Sequence, residues 1–352
     1  MPVAETGSER APTANTYHQY HDTLPHFRPP TGRKPMQERV FLITQTMKVL
    51  IATEKPFAPA AVKGIKEIID AAGYDCLLLE KYTEKSELLK AAESADAMII
   101  RSDKVDAEVM DAAPNLKIVV RAGAGYDNVD LEAATERGIV VMNTPGQNAN
   151  AVAELVIGML IYIIRNRFDG TSGTELMGKK IGLMAFGAVA QNVGRIAHGI
   201  GMDVSSYSPL NRPQKIIDSG FHVHESVEAL FLYNDIVSLH IPATKQTIRS
   251  IGYDLIKSMK KNAILVNTAR KEIIDEEGFL RAMAERPDLR YVSDLKLDAH
   301  DEAVKLMGGR YLYTPKKMGA QTAEANINAG LAAAQQIVDF FVDGVKKFQV
   351  NK

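Results

Sequence analysis

Lys180–Pro209 reads KIGLMAFGAVAQNVGRIAHGIGMDVSSYSP. An apolar run at Lys180–Met184 gives way to a turn of small residues. An amphipathic stretch follows over Val189–Gly199, and a second β-rich run occupies Asp203–Tyr207. Strand, small-residue turn, helix and strand in that order form a nucleotide-binding βαβ unit. In such units the first glycine of G-x-G-x-x-G/A makes the tight turn and the second lets the backbone approach a pyrophosphate. The third position packs the helix on the strand. Here Ala185 stands in the first place, Gly187 in the second and Ala190 in the third, with Val189 in the first helical turn. Helix N-termini attract anions because their first N–H groups lack partners. Taken alone, the motif fits a purely structural strand–turn–helix equally well. The acidic residue that usually ends the second strand and binds the ribose hydroxyls is missing. Ser208 stands there, followed by Asn211 and Arg212. A carboxylate repels a 2′-phosphate, whereas a hydroxyl with a nearby arginine accepts one, so NAD and NADP both stay open.

Outward from this unit the alternation continues. Upstream, β-rich runs lie at Lys48–Ala52, Asp75–Leu79, Ala97–Ile100, Lys117–Arg121 and Ile139–Asn143. Downstream they lie at Ile236–His240, Ala263–Asn267, Tyr291–Asp294 and Tyr311–Thr314. Helical segments such as Ala60–Ala71, Asn148–Arg167 and Asp275–Met283 fall between them. Regular alternation of strand and helix predicts parallel sheets covered on both faces. Two such sheets fit the number of strands better than one. The last helical stretch, Thr322–Val342, is long for a sheet cover and is expected to cross between the two lobes.

The chain has 352 residues, enough for two domains of the usual size. Its formal net charge of −1 gives no reason to expect nucleic acid, so any basic groups for an anion must be local. One cysteine, Cys76, excludes an internal disulfide and disfavours a cysteine-based metal site; no metal is expected. It sits in a strand-like run, where a buried inert thiol is the ordinary outcome. No stretch approaches the roughly 20 apolar residues of a membrane span. Residues 1–46 are rich in proline, hold His18, His21 and His26, and show no apolar periodicity before Val40. They cannot bury enough surface to offset their ordering entropy and are expected to be a disordered extension. They lack the apolar core of a secretory signal, and their acidic residues argue against a transit peptide, so a cytoplasmic protein is expected.

Four segments taken together resemble the D-2-hydroxyacid dehydrogenases, and most closely the short D-3-phosphoglycerate dehydrogenases that carry lysine in place of the catalytic histidine. They are RAGAGYDNVDLEAATERGIVVMNTPGQNANAVAEL (Arg121–Leu155), NDIVSLHIPATKQT (Asn234–Thr247), AILVNTAR (Ala263–Arg270) and TPKKMGAQTAEA (Thr314–Ala325). The likeness runs from Met47 to the C-terminus. It implies an α/β protein of two doubly wound parallel-sheet lobes, of Rossmann and flavodoxin-like type, with the active site in the cleft between them. Residues 47–147 with 322–352 would form the substrate lobe and residues 148–321 the cofactor lobe. The resemblance also implies a homodimer through the region around Asn148–Lys180, a small-molecule substrate and NAD as cofactor. It puts His240, Pro242 and Thr268, at two strand ends, beside the cofactor, and matches Asp294 to an aspartate that contacts the nicotinamide carboxamide.

Interconverting a 2-hydroxy acid and a 2-keto acid requires a cation for the carboxylate, a proton at the C2 oxygen and a hydride at C2. Arg270 matches the family's catalytic arginine, and its planar fork suits bidentate carboxylate binding. Where histidine usually follows Thr-Pro, this chain has Lys316. An ammonium, with an unperturbed pKa of about 10.4, can donate a proton to a keto acid; to act as a base its pKa must fall through burial or a nearby cation such as Arg270. The glutamate that partners the histidine is also missing: Ala299 stands at its place, with Asp298, Asp301 and Glu302 nearby. For the substrate, the backbone amides of Ala122, Gly123, Ala124 and Gly125 can cradle a carboxylate. Arg101 matches an arginine that reaches a substrate phosphate, with Lys104 or Arg121 assisting, and Asn148 is placed near the cleft hinge and the cofactor.

These features favour oxidation of 3-phosphoglycerate to 3-phosphohydroxypyruvate. Ser208 and Arg212 support a second reading, an NADP-dependent reductase of glyoxylate or hydroxypyruvate. A third reading is a non-catalytic NAD(H)-sensing protein of the same fold, fed by the missing glycine, acidic residue, glutamate and histidine and opposed by Arg270 and the RAGAG loop.

Overall fold

The computed structural model describes residues 46–210 and 213–351; all but the last residue of the extension expected at residues 1–46, and the Asn211–Arg212 pair, lie outside it. Five strands, β1 (Lys48–Thr53), β2 (Asp75–Glu80), β3 (Ala97–Ile100), β4 (Ile118–Arg121) and β5 (Val140–Asn143), form one sheet. Its helices are α1 (Pro59–Ala71), α2 (Lys85–Ala92), α3 (Ala107–Asp111) and α4 (Leu131–Glu136). A helix of 16 residues, α5 (Ala149–Ile164), then leads into the second sheet. That sheet contains β6 (Lys180–Met184), β7 (Asp203–Tyr207), β8 (His222–Val223), β9 (Ile236–Leu239), β10 (Ile264–Asn267), β11 (Arg290–Ser293) and β12 (Tyr311–Tyr313). Its helices are α6 (Ala188–Gly199), α7 (Pro213–Ile217), α8 (Val227–Tyr233), α9 (Tyr253–Ser258), α10 (Glu276–Glu285) and α11 (His300–Met307). The chain's last helix is α12 (Ala323–Asp343).

The first sheet has the order β2-β1-β3-β4-β5 and the second β12-β11-β10-β9-β6-β7-β8, and every pairing is parallel. Both orders reverse once, between β1 and β3 and between β6 and β9, which makes the crevice at the carboxyl ends of those strands the place for ligands. The period-two alternation of a strand divides each lobe into two cores. Along β1, Val49 and Ile51 face the side covered by α1 and α12, while Leu50 and Ala52 face the side of α2 and α3. In the second sheet Ile181, Leu183 and Val266 pack toward α5 and α6, and Val237, Leu239 and Leu265 toward α9 and α10. The expected two-lobed α/β class is therefore the observed one. The two-residue strand β8 was not anticipated, being too short to carry a period.

The final helix departs from expectation. Thr322 caps it, accepting from Ala325 N at 3.1 Å, and Gly344 ends it at φ 66°. Its buried face, Ala329, Ala333, Ala334 and Ile337, joins the core under the first sheet, so it covers that sheet. The crossing between the lobes is made by the turn-rich segment before it, from Thr314, whose N–H donates to Ser293 O, to Thr322. Beyond the helix the chain lies antiparallel along the edge of β5: Val350 N donates to Val141 O at 2.9 Å, and Asn351 Oδ1 accepts from Val141 N at 2.8 Å. Among the described residues no helix is long and apolar enough to cross a membrane.

Close packing is sharpest at Gly182 on the central strand β6. A Cβ there would stand 2.6 Å from Asn234 Nδ2 and 2.9 Å from Leu230 Cδ1. Asn234 cannot yield easily, because it is buried and bonded to Ser205 Oγ at 2.9 Å and Leu230 O at 2.8 Å. Gly182→Ala is expected to cost about 1–3 kcal/mol of stability by overpacking, read as a lowered urea midpoint.

Candidate active site

The site lies where carboxyl ends of strands from both sheets meet. Arg101 and Arg121 follow from β3 and β4, the loop Ala122–Gly125 follows β4, and Arg270 follows β10. A cavity of 280 Å³ is lined by Arg101, Arg121, Gly123, Asn148, Gln321 and Asn326, among others. A larger groove of 920 Å³ between α10 and α11, where Glu302 lies, is open and holds none of these groups.

Arg101 is held without being neutralised. Its Nη1 donates to Lys55 O and Pro56 O, each at 2.9 Å, its Nη2 donates to Asn326 Oδ1, and its guanidinium lies over Phe57. Arg121 Nε donates to Arg101 O at 2.9 Å, and its guanidinium fills the space that a side chain on Gly123 would need. Gly123 has φ +150°, so glycine is required there on both counts. Burial, then the charges of Arg101 and Arg270, pull the Arg121 pKa down. Lys104, by contrast, is a surface residue paired with Asp106 at 3.5 Å.

The loop after β4 is less free than its sequence suggests. Ala122 N donates to Ile100 O and Gly123 N to Arg121 O, each at 2.8 Å, so neither can serve a ligand. Only Ala124 N and Gly125 N lack an acceptor among the described residues. Arg270 stands beside them, its Nη2 3.1 Å from the Cβ position of Gly125. What the loop can offer an anion is two amides and a guanidinium, not the four amides expected.

The lysine expected to carry the proton, Lys316, is one of an adjacent pair. It is exposed, and its recorded tie is a backbone one, its carbonyl accepting from Thr314 Oγ1 at 2.6 Å. The next residue, Lys317, faces the site: its Nζ donates to Ala269 O at 3.2 Å, the same oxygen that accepts Arg270 Nη1 at 2.9 Å. The residue as a whole is open to solvent, yet desolvation of its ammonium and then the Arg270 charge pull its pKa below 10.5. The two lysines are neighbours in sequence, and counting from Thr314-Pro315 selects the first of them.

The carboxylates expected near the missing glutamate do not reach the site either. Asp298 pairs with Lys271, Glu276 accepts from the N–H groups of Asp298 and Ala299, and Asp301 and Glu302 lie in the first turn of α11. The carboxylates whose charge acts on Lys317 are Asp294, Glu272 and Asp127. Glu272 and Asp127 were missed, although one follows the arginine by two residues and the other closes the RAGAGYD run. Among the described residues none of Arg101, Arg121, Arg270 and Lys317 forms a salt bridge within 4.0 Å.

On the second sheet, three buried polar atoms at neighbouring strand ends lack partners among the described residues: His240 Nε2 after β9, Thr268 Oγ1 after β10 and Asp294 Oδ1 after β11. Burial holds the His240 pKa down to about 3, keeping its ring neutral. The other oxygen of Asp294 accepts from Gly319 N at 2.7 Å and Met318 N at 3.1 Å, which ties the lysine loop to β11. Burial raises the Asp294 pKa. Gly187 caps α6 and has open space where a Cβ would point, while Val189 is half-buried and Ala190 buried behind it. Ser208 follows β7, and Pro242 follows His240 by two residues, its carbonyl accepting from Thr247 Oγ1 at 2.5 Å. Asn148 precedes α5 and lines the cavity between the lobes. Orphaned strand-end acceptors beside an open helix N-terminus fit a dinucleotide laid across the switch point.

This arrangement defines a two-lobed, doubly wound α/β protein with an anion-binding cleft. The chain belongs to the family of D-isomer specific 2-hydroxyacid dehydrogenases, whose catalytic-domain model matches residues 49–351. It is 36% identical over 273 residues to the D-3-phosphoglycerate dehydrogenase of Methanocaldococcus jannaschii, covering 72% of this chain but 51% of that protein. This chain thus spans about half the length of that relative. It is 33% identical over 278 residues to the hydroxypyruvate reductase of Thermotoga maritima, covering 73% of this chain and 88% of the relative. Among solved structures, the NAD+-bound 3-phosphoglycerate dehydrogenase of Entamoeba histolytica superposes with a TM-score of 0.79 at 48% identity, over 88% of this chain and 99% of that one.

The departure at Ala185 has a structural signature: its φ is +76°, the left-handed region that the first glycine of the fingerprint normally occupies. An L-residue there costs about 1–2 kcal/mol. Ala185→Gly is expected to recover up to about 1 kcal/mol, part of the strain being replaced by glycine's greater unfolded-state entropy. A raised thermal midpoint checks it.

Proposed function

We propose that the chain is a D-3-phosphoglycerate dehydrogenase, oxidising 3-phosphoglycerate to 3-phosphohydroxypyruvate with NAD, the first step of a route to serine. The observation that carries this reading is the unpaired cluster of Arg101, Arg121, Arg270 and Lys317. A phosphate monoester brings about −1.5 to −2 charges near neutral pH, and the carboxylate adds one more. Glyoxylate or hydroxypyruvate offers the carboxylate alone and would leave two buried-side arginines uncompensated. A binding protein has no use for a lysine held against a catalytic-type arginine.

In this reading residues 47–147 with 322–352 form the substrate lobe and residues 148–321 the cofactor lobe. Ala124 N, Gly125 N and Arg270 hold the carboxylate, and Arg101 with Arg121 takes the phosphate. Lys317, in place of Lys316, moves the proton at the C2 oxygen. Gly187 and the opening amides of α6 would take the pyrophosphate, and His240, Thr268 and Asp294 the nicotinamide half. The bound nicotinamide supplies the acceptor for the C2 hydride. NAD is favoured by the NAD+-bound relative; NADP remains the alternative that Ser208 allows. The reading includes a cytoplasmic homodimer joined near residues 148–180, where Ile161, Phe168 and Met177 are exposed apolar side chains.

The direct test is loss of reduced-nicotinamide absorbance with 3-phosphohydroxypyruvate, glyoxylate or hydroxypyruvate, each with NADH and with NADPH. Preferred turnover of 3-phosphohydroxypyruvate with NADH supports the proposal. Preference for glyoxylate or hydroxypyruvate supports the reductase reading favoured by the Thermotoga relative. No turnover of any of them sinks both.

Lysine also dictates a pH dependence. As a base in oxidation Lys317 must be neutral, so the rate rises with pH until its pKa is passed; as an acid in reduction it must be charged, so the rate falls above the same point. That point is expected below 10.5, since desolvation and Arg270 both act downward. Lys317→Ala is expected to lower kcat by roughly 10²–10⁴-fold and to abolish this inflection, as removal of a general acid–base does. Lys316→Ala should leave both near wild type; the opposite pattern would return the role to Lys316.

A further inference from the structure

Two backbone amides form the proposed carboxylate cradle, and their direction is set from β5. In a trans peptide the carbonyl and the next N–H point to opposite sides. Gly123 O accepts from Thr144 N at 3.0 Å, and Ala124 O accepts from Asn143 Nδ2 at 2.7 Å. With both carbonyls drawn toward the end of β5, Ala124 N and Gly125 N are turned away from it, which leaves them without protein acceptors. Flipping either peptide would bury a carbonyl in an anion site and orphan a donor on β5.

Asn143 is itself fixed. It is 9% exposed, its N–H donates to Phe348 O at 3.4 Å, and its carbonyl accepts from Gln336 Nε2 at 3.1 Å. The backbone is thus held by the C-terminal segment on one side and α12 on the other. Among the described residues, the side-chain amide makes the one hydrogen bond from a side chain to the loop carbonyls, and it is a short one.

We propose that Asn143 is a positioning residue: its Nδ2 bond to Ala124 O aims the Ala124 and Gly125 amides at the substrate carboxylate. The inference rests on the reading of the site given above. The residue touches no reacting atom and acts through the loop, so its loss weakens binding of the acid and spares hydride transfer and cofactor binding. Because the amides serve the carboxylate, the effect is the same for a phosphorylated and an unphosphorylated acid.

The test uses Asn143→Asp, which keeps the shape but sets an acceptor against Ala124 O, and Asn143→Ala, which removes the donor without adding charge. Asn351→Ala is the control, since it loosens the same strand edge through Val141 and does not touch the loop. KM and kcat are measured with 3-phosphohydroxypyruvate and with glyoxylate, and NADH affinity by fluorescence. Expected for both Asn143 variants is a KM raised about tenfold for each acid, the worth of one hydrogen bond, with kcat and NADH affinity within about twofold of wild type. Asn351→Ala should lower the melting temperature and leave KM unchanged. Wild-type KM in both Asn143 variants, or an equal rise in Asn351→Ala, overturns the positioning role. A wild-type protein inactive toward every acid would sink the functional reading instead, so the two failures are distinguishable.

Discussion

Repulsion among four cations is the constraint that the cleft is built to withstand. Arg101, Arg121, Arg270 and Lys317 converge with no carboxylate in salt-bridge range among the described residues; burial and then the charges of Arg101 and Arg270 pull the Arg121 pKa down, and desolvation and then Arg270 lower that of Lys317. The fold holds them by neutral acceptors: the carbonyls of Lys55 and Pro56 for Arg101, of Arg101 for Arg121, and of Ala269 for both Arg270 and Lys317. Backbone carbonyls fix direction and leave the formal charge uncancelled. Electrostatic groups preorganised in this way stabilise an incoming anion without reorganising at the moment of reaction.

In the proposed reading the same arrangement accounts for an ammonium in the place of an imidazole. A histidine near neutrality gains from a carboxylate that raises its pKa, whereas a lysine already lies too high and gains from a cation that lowers it. The structure follows that logic. The carboxylates near the vacated glutamate place are spent elsewhere, Asp298 on Lys271 and Glu276 on the start of α11. Arg270 becomes the close electrostatic neighbour of Lys317. The charges of Asp294, Glu272 and Asp127 act on it in the opposite direction.

Much of the fold could be read from the sequence because strand and helix periods were clean. The runs at Lys180–Met184 and Asp203–Tyr207 became β6 and β7 with the same bounds. What periodicity could not give was register within loops. Lys316 and Lys317 are adjacent between Pro315 and Gly319, and only the fold shows that Lys317 Nζ shares Ala269 O with Arg270. Nor could sequence show that Ala122 N and Gly123 N are already bonded: the first reaches Ile100 O because β3 lies beside β4, and the second turns back onto Arg121 O. The bond from Asn143 to Ala124 O joins residues 19 apart across two strands, and only the folded sheet brings them together. Ala185 shows the converse: a residue that breaks the fingerprint in sequence keeps its backbone shape in the fold, with φ at +76°.

The central claim is that one cleft takes a carboxylate at the Ala124–Gly125 amides and Arg270, and a phosphate at Arg101 and Arg121. A crystal structure of the ternary complex with NAD and 3-phosphoglycerate tests it most directly. The account predicts the carboxylate on those two amides, the phosphate between the two arginines, and Lys317 Nζ within hydrogen-bond distance of the C2 hydroxyl. A phosphate bound outside the reach of Arg101 and Arg121, or a C2 hydroxyl facing some other side chain, would contradict it.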